Sequence, residues 1–132
     1  MWHLNLLVVI TLGLQTAAHA LQPRTEIIEQ FDDLRMVAFV PTDDIASSPA
    51  WNADTGEPPL SVAQAIRAVR NLEGGQSGPV REIELRPLPD SPTRWHYLVK
   101  TSNAAKTTGF DVYIILMNGK VIPAMIEPDS VR

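Results

Sequence analysis

Residues 110–126 constrain the fold more than any other stretch, because almost every position is apolar and the run is folded in two at Asn118-Gly119. Asn-Gly between apolar runs is the strongest short-range signal for a two-residue β-hairpin. The stretch therefore predicts a strand over 110–117 that returns over 120–126. Successive side chains of a strand point to opposite faces. Phe110, Val112, Ile114 and Leu116 then share a face with Val121 and Met125, while Tyr113, Ile115 and Met117 share the other with Ile122, Ala124 and Ile126. A sheet with one solvated face is polar on that face, and here both faces are apolar. Two readings follow. Either a helix covers one face and the N-terminal segment the other, or the face bearing Tyr113, Ile115, Met117, Ile122 and Ile126 meets a partner, as exposed apolar patches do.

A helix suited to the first role lies upstream. Ser61 followed three residues later by Gln64 forms a capping box, with Leu60 placed as a hydrophobic staple. Val62, Ala65, Ile66, Val69 and Leu72 recur at helical spacing, opposite Gln64, Arg67, Arg70 and Asn71. Gly74-Gly75 supplies a left-handed stop. The spacing predicts a helix over 62–73 that packs Ile66 and Val69 on the sheet.

Val80–Leu88 alternates Ile83 and Leu85 with Glu82, Glu84 and Arg86, the pattern of a half-buried strand, until the prolines at 87, 89 and 92 break it. In 95–101, Trp95, Tyr97 and Val99 alternate with His96, Leu98 and Lys100, which puts His96 on the polar face. Pro123 cannot donate to a ladder, so the last strand belongs at a sheet edge or is short. Upstream, 34–40 reads as a strand and 25–31 as a short helix with Ile27, Ile28 and Phe31 on its apolar side. The stretch 41–59 is rich in Pro, Asp and Ser, a loop of a length that is usually functional or disordered. The expected class is α+β: one amphipathic helix on a three- to four-stranded antiparallel sheet, with an extra N-terminal strand or helix.

Residues 1–20 read as a secretory signal peptide: an apolar run over 4–14, then Ala18-His19-Ala20 as the small-x-small site, with cleavage after Ala20. The run is too short for a transmembrane helix, so no stable membrane insertion is expected after cleavage. The division is then signal 1–20, N-terminal segment and long loop 21–59, and an α+β domain over 60–132. The net charge of −4 argues against nucleic acid as a partner. The chain has no cysteine and no glycosylation sequon, which suits a periplasmic or secreted bacterial protein.

No residue set names a reaction. Asp54-Thr55-Gly56 matches the aspartic-protease triplet but sits in a polar turn, whereas that chemistry needs two aspartates sharing a proton. The acidic pairs Asp32-Asp33 and Asp43-Asp44, with Asp54 and Glu57, lack the pattern of a calcium loop. His96 is the single histidine after residue 20 and cannot build a typical zinc site without cysteine. No nucleophile elbow accompanies it. No catalytic, cofactor or metal residues are expected.

The helix start Ser61-Val62-Ala63-Gln64-Ala65-Ile66, the strand Val80-Arg81-Glu82-Ile83-Glu84-Leu85, the run Trp95-His96-Tyr97-Leu98-Val99, and Val112-Tyr113-Ile114 closing on Asn118-Gly119-Lys120-Val121-Ile122 together resemble the PepSY domain. The resemblance spans about residues 60–125. It implies a small helix-plus-sheet module of exported bacterial proteins and peptidase propeptides, without catalytic residues. Where that family often has an acidic residue, four positions before the hairpin glycine, this chain has Ile115. The expectation is an exported non-enzymatic domain that binds another exported protein or itself and restrains a peptidase in the periplasm. The alternatives are a small hydrolase using the acidic loop with His96, or a carrier of an apolar ligand between helix and sheet.

Overall fold

The structure, a computed structural model, describes residues 23–72 and 78–127. The expected signal, its cleavage site at Ala20 and the Gly74-Gly75 stop lie outside the described residues.

The chain is α+β and builds two antiparallel sheets. β1 (Arg24–Phe31) and β2 (Leu34–Pro41) form a hairpin, followed by α1 (Thr42–Ser47), α2 (Val62–Leu72), β3 (Val80–Leu88), β4 (Ser91–Ser102), β5 (Phe110–Leu116), β6 (Val121–Pro123) and β7 (Met125–Ile126). One sheet has the order β1-β2-β7 and the other β3-β4-β5-β6. The four-stranded sheet is the middle layer. On one side α2 buries Ala65 and Val69 against Tyr97, Val99, Tyr113, Ile115 and Met117. On the other, the three-stranded sheet and α1 bury Ile27, Met36, Ala38, Val40 and Ile45 against Leu88, Leu98, Val112, Ile114, Leu116 and Ile122. Both faces of the 110–126 hairpin are thus covered by the chain itself.

Segment 25–31, expected as a short helix, is a strand. Its sequence satisfies strand pairing because Ile27 alternates with exposed Glu26 and Ile28 and enters the core. Asp32-Asp33 then closes a two-residue turn, with Phe31 opposite Leu34 and Asp32 at φ 51°, a left-handed value that Asp tolerates.

Helix α2 begins as its sequence predicts. The Ser61 hydroxyl accepts from the Gln64 N–H at 3.1 Å and the Gln64 carboxamide accepts from the Ser61 N–H at 2.8 Å, which satisfies two otherwise orphaned donors. Its contact stripe is narrower than the periodicity implies. Ala65 and Val69 are buried and Ala68 packs beside them, whereas Ile66 is half-buried and Val62 and Leu72 are exposed. Small residues at 65 and 68 let the helix approach closely, and Val69 is its main apolar contact.

The hairpin register differs from the expected one. The Leu116 carbonyl accepts from the Gly119 N–H at 2.8 Å, and the Leu116 N–H donates to the Lys120 carbonyl at 2.9 Å. Three residues, 117–119, therefore make the turn, with Gly119 at φ 87° in the left-handed position of a bulged hairpin. Ile115 pairs with Val121 and Ile114 with Ile122. One extra turn residue moves every side chain of β6 to the opposite face, so Ile122 lies with Ile114 and not with Tyr113 and Ile115.

Pro87 does not break β3. It pairs with Trp95 on an edge strand, where its missing N–H leaves no ladder bond unmade. Pro123 closes β6 at the far edge. After Ala124 the chain crosses to the other sheet, where Met125 pairs with Val37 and Ile126 with Met36. This crossing joins the two sheets on one side. On the other, Arg86 of β3 forms an ion pair with Glu29 of β1.

Candidate functional site

The residues expected to form a partner surface divide among three environments. Tyr113, Ile115 and Met117 lie under α2 and are at most 3% exposed. Ile122 is buried on the opposite face against the N-terminal sheet. These four are internal core, because α2 and the β1–β2 sheet cover the hairpin from both sides. Ile126 alone of the five reaches an opening. It lines a cleft of about 490 Å³ together with Met36, Phe110, Ala124, Met125 and the 105–108 loop.

The cleft forms because β5 begins after a polar connection. Asn103 organises that connection, its side chain bonding Asp111 at 2.7 Å and the Ala105 N–H at 3.1 Å, while Lys106 pairs with Asp111. The loop and β7 line opposite parts of the cleft, with half-buried Phe110 and Ile126 between them and buried Met36 beneath. On the other side of Phe110 a second cleft of about 540 Å³ is lined by Phe31, Asp32, Asp33, Leu34, Lys100 and Thr108. The Lys100 ammonium is 4.3 Å from the Phe31 ring centroid and 4.1 Å from that of Phe110, and the two rings meet edge-on at 5.4 Å. Such cation–π contacts hold both rings at the rim.

His96 is not on a solvent face. It is 2% exposed, with Arg86 opposite on β3 and Leu116 opposite on β5. Neither ring nitrogen has a hydrogen-bond partner in the protein. Burial, with a smaller contribution from the Arg86 charge, pushes its pKa down from 6.5 to about 4. The hydrolase reading needed an accessible base here, and the imidazole is enclosed instead.

The 41–59 segment is also organised. It opens as α1, whose Asp44 pairs with Lys120 of the hairpin. Trp51 donates its backbone N–H to the Thr93 carbonyl at 2.9 Å and packs edge-on against Trp95 at 5.0 Å. Arg94 donates to the Ser48 carbonyl. Asp54 and Thr55 lie in a turn held by Asn52, the Asp54 N–H donating to the Asn52 side chain at 3.0 Å and the Thr55 N–H to its carbonyl at 3.1 Å. The Asp-Thr-Gly triplet is that turn. Among the described residues no group of three His, Cys, Asp or Glu side chains could hold a metal ion, and no helix is long and apolar enough to cross a membrane.

Sequence reasoning missed the cleft because its lining comes from β2, β5, β7 and the 105–108 loop, which only the two-sheet arrangement brings together. The available signal was Pro123 followed by Ala124, which marks where the last strand leaves one sheet for the other. Compared with protein-family models, with curated proteins and with solved structures, the chain gives no match.

Proposed function

We propose that the protein is an exported, non-enzymatic protein-binding domain of PepSY-like build, and that its contact point is the cleft between β7 and the 105–108 loop. The observation that supports this most is that half-buried Phe110 and Ile126 stay open beside exposed Met125, over buried Met36, in a chain that otherwise buries its hairpin on both faces. A cleft of this size accepts one or two apolar side chains of a partner, and Lys106 and Thr107 at its rim supply polar contacts. The class of partner is an exported peptidase or its substrate-like segment, following the resemblance of residues 60–125.

The space between α2 and the sheet, where a ligand carrier would hold an apolar molecule, is occupied by Ala65, Val69, Tyr97, Val99, Tyr113 and Ile115. Ala124→Arg tests the proposal, because it fills the cleft from a half-buried position. Affinity capture from periplasmic extract is expected to retain a partner on the wild-type domain and lose it on the variant. Peptidase activity of the captured fraction is expected to fall as free wild-type domain is added. Equal capture by both proteins would overturn the assignment of the cleft.

A further inference from the structure

The outer edge of β1 supports an interaction that the cleft does not involve. β1 is eight residues long, and among the described residues no strand pairs with its outer side. An unpaired edge of this length is a template for another strand. Its turn settles which backbone groups are free. A two-residue hairpin closes on a hydrogen-bonded pair, here Phe31 with Leu34, and such pairs alternate along an antiparallel ladder. Thr25, Ile27, Glu29 and Phe31 therefore bond β2, while Arg24, Glu26, Ile28 and Gln30 direct their N–H and C=O groups outward.

We propose that the occupant of this edge is the β1 strand of a second copy, antiparallel about a two-fold axis at Ile28. A two-fold pairing of identical strands sets residues of one face against residues of the same face. Centring on Glu26 or Glu29 opposes identical carboxylates, which is unfavourable. Centring on Ile27 sets Glu26 against Ile28. Centring on Ile28 sets Ile28 against itself and Glu26 against Gln30 on the outer face, with no like charges opposed, and leaves Glu29 on the inner face in its ion pair with Arg86.

The outer face of the three-stranded sheet singles out the same register. Ile28 pairs with Val37, and Val37 with Met125, so one row of directly opposed apolar side chains crosses all three strands. Ile28 is 44% exposed and Met125 56% exposed, both large values for such residues. Pairing at Ile28 makes that row continuous through the dimer as Met125-Val37-Ile28-Ile28-Val37-Met125. Arg24 already lies over the Phe39 ring, 4.2 Å from its centroid, which holds its guanidinium on this outer face.

The test uses the full chain expressed in a bacterial host and purified as that host processes it. Sedimentation equilibrium is expected to give a dimer for the wild type and a monomer for Ile28→Lys. That variant sets two ammonium groups together at the axis and is expected to weaken the dimer by roughly tenfold or more. Because the protein has no cysteine, Ile28→Cys is expected to form a disulfide-linked dimer on mild oxidation, while Val62→Cys, equally exposed on α2, stays monomeric on non-reducing gels. A monomeric wild type at high concentration would overturn the proposal. So would a dimer that Ile28→Lys leaves intact, or a folded Ile28→Cys protein that fails to cross-link; the last outcome decides even if Ile28→Lys does not fold. Loss of capture in Ala124→Arg with the dimer retained separates failure of the cleft from failure of this edge.

Discussion

Enclosing His96 between two sheets makes acid a specific threat to this fold, and His96→Leu isolates the effect. The unfolded chain binds the proton with a pKa near 6.5, whereas the folded chain binds it only near 4. Between those values the unfolded state holds more protons, so stability rises with pH and is lost as pH falls through this window. A separation from 6.5 to about 4 corresponds to about 3 kcal/mol at about 1.4 kcal/mol per unit. Other titrating groups destabilise wild type and variant alike, so the difference between the two reports His96. Urea unfolding at pH 7 and pH 4 is expected to show the wild type losing about 3 kcal/mol more than His96→Leu. At pH 7 the variant is expected to match or exceed the wild type, because leucine removes two ring nitrogens that have no protein partner. Equal losses for both proteins would refute the reasoning, since they would mean that His96 titrates alike in folded and unfolded chains.

Three further substitutions test local features. Ser61→Ala removes half of the capping box of α2 and is expected to cost about 1 kcal/mol in urea unfolding, while Gln64→Ala, which removes the reciprocal bond, costs less. Gly78→Ala places a Cβ 2.1 Å from the Ser102 carbonyl oxygen; backbone must shift to admit it, with an expected loss of about 1–3 kcal/mol visible as a lower thermal midpoint.

Elements specified by local chemistry were legible in the sequence. The capping box set the start of α2, and alternation placed Val80–Leu88 at its observed bounds. Two features depended on non-local choices. Asn118-Gly119 is compatible with a two- or a three-residue turn, and the difference of one residue decided whether Ile122 shares a face with Ile115 or Ile114. Reading 25–31 as helix hid the second sheet, so the N-terminal cover had no definite place over the strand bearing His96 and Leu98, and alternation alone made His96 look solvated. Once β1 and β2 form a sheet, that face becomes an interior and His96 a buried residue. The cleft followed the same route, because Ile126 joins Phe110 only when β7 leaves β6 to pair with β2.

The chain itself buries both faces of the 110–126 hairpin, and for that reason the proposed contact surface is the cleft. Ile115 is 0% exposed beneath α2 among Tyr97, Val99 and Met117, and Ile115→Lys tests this burial, since an ammonium there is desolvated among apolar side chains. Circular dichroism with urea titration is expected to find the variant unfolded, or destabilised by more than about 4 kcal/mol. A cooperative transition at the wild-type midpoint would contradict the claim and return Tyr113, Ile115 and Met117 to the surface.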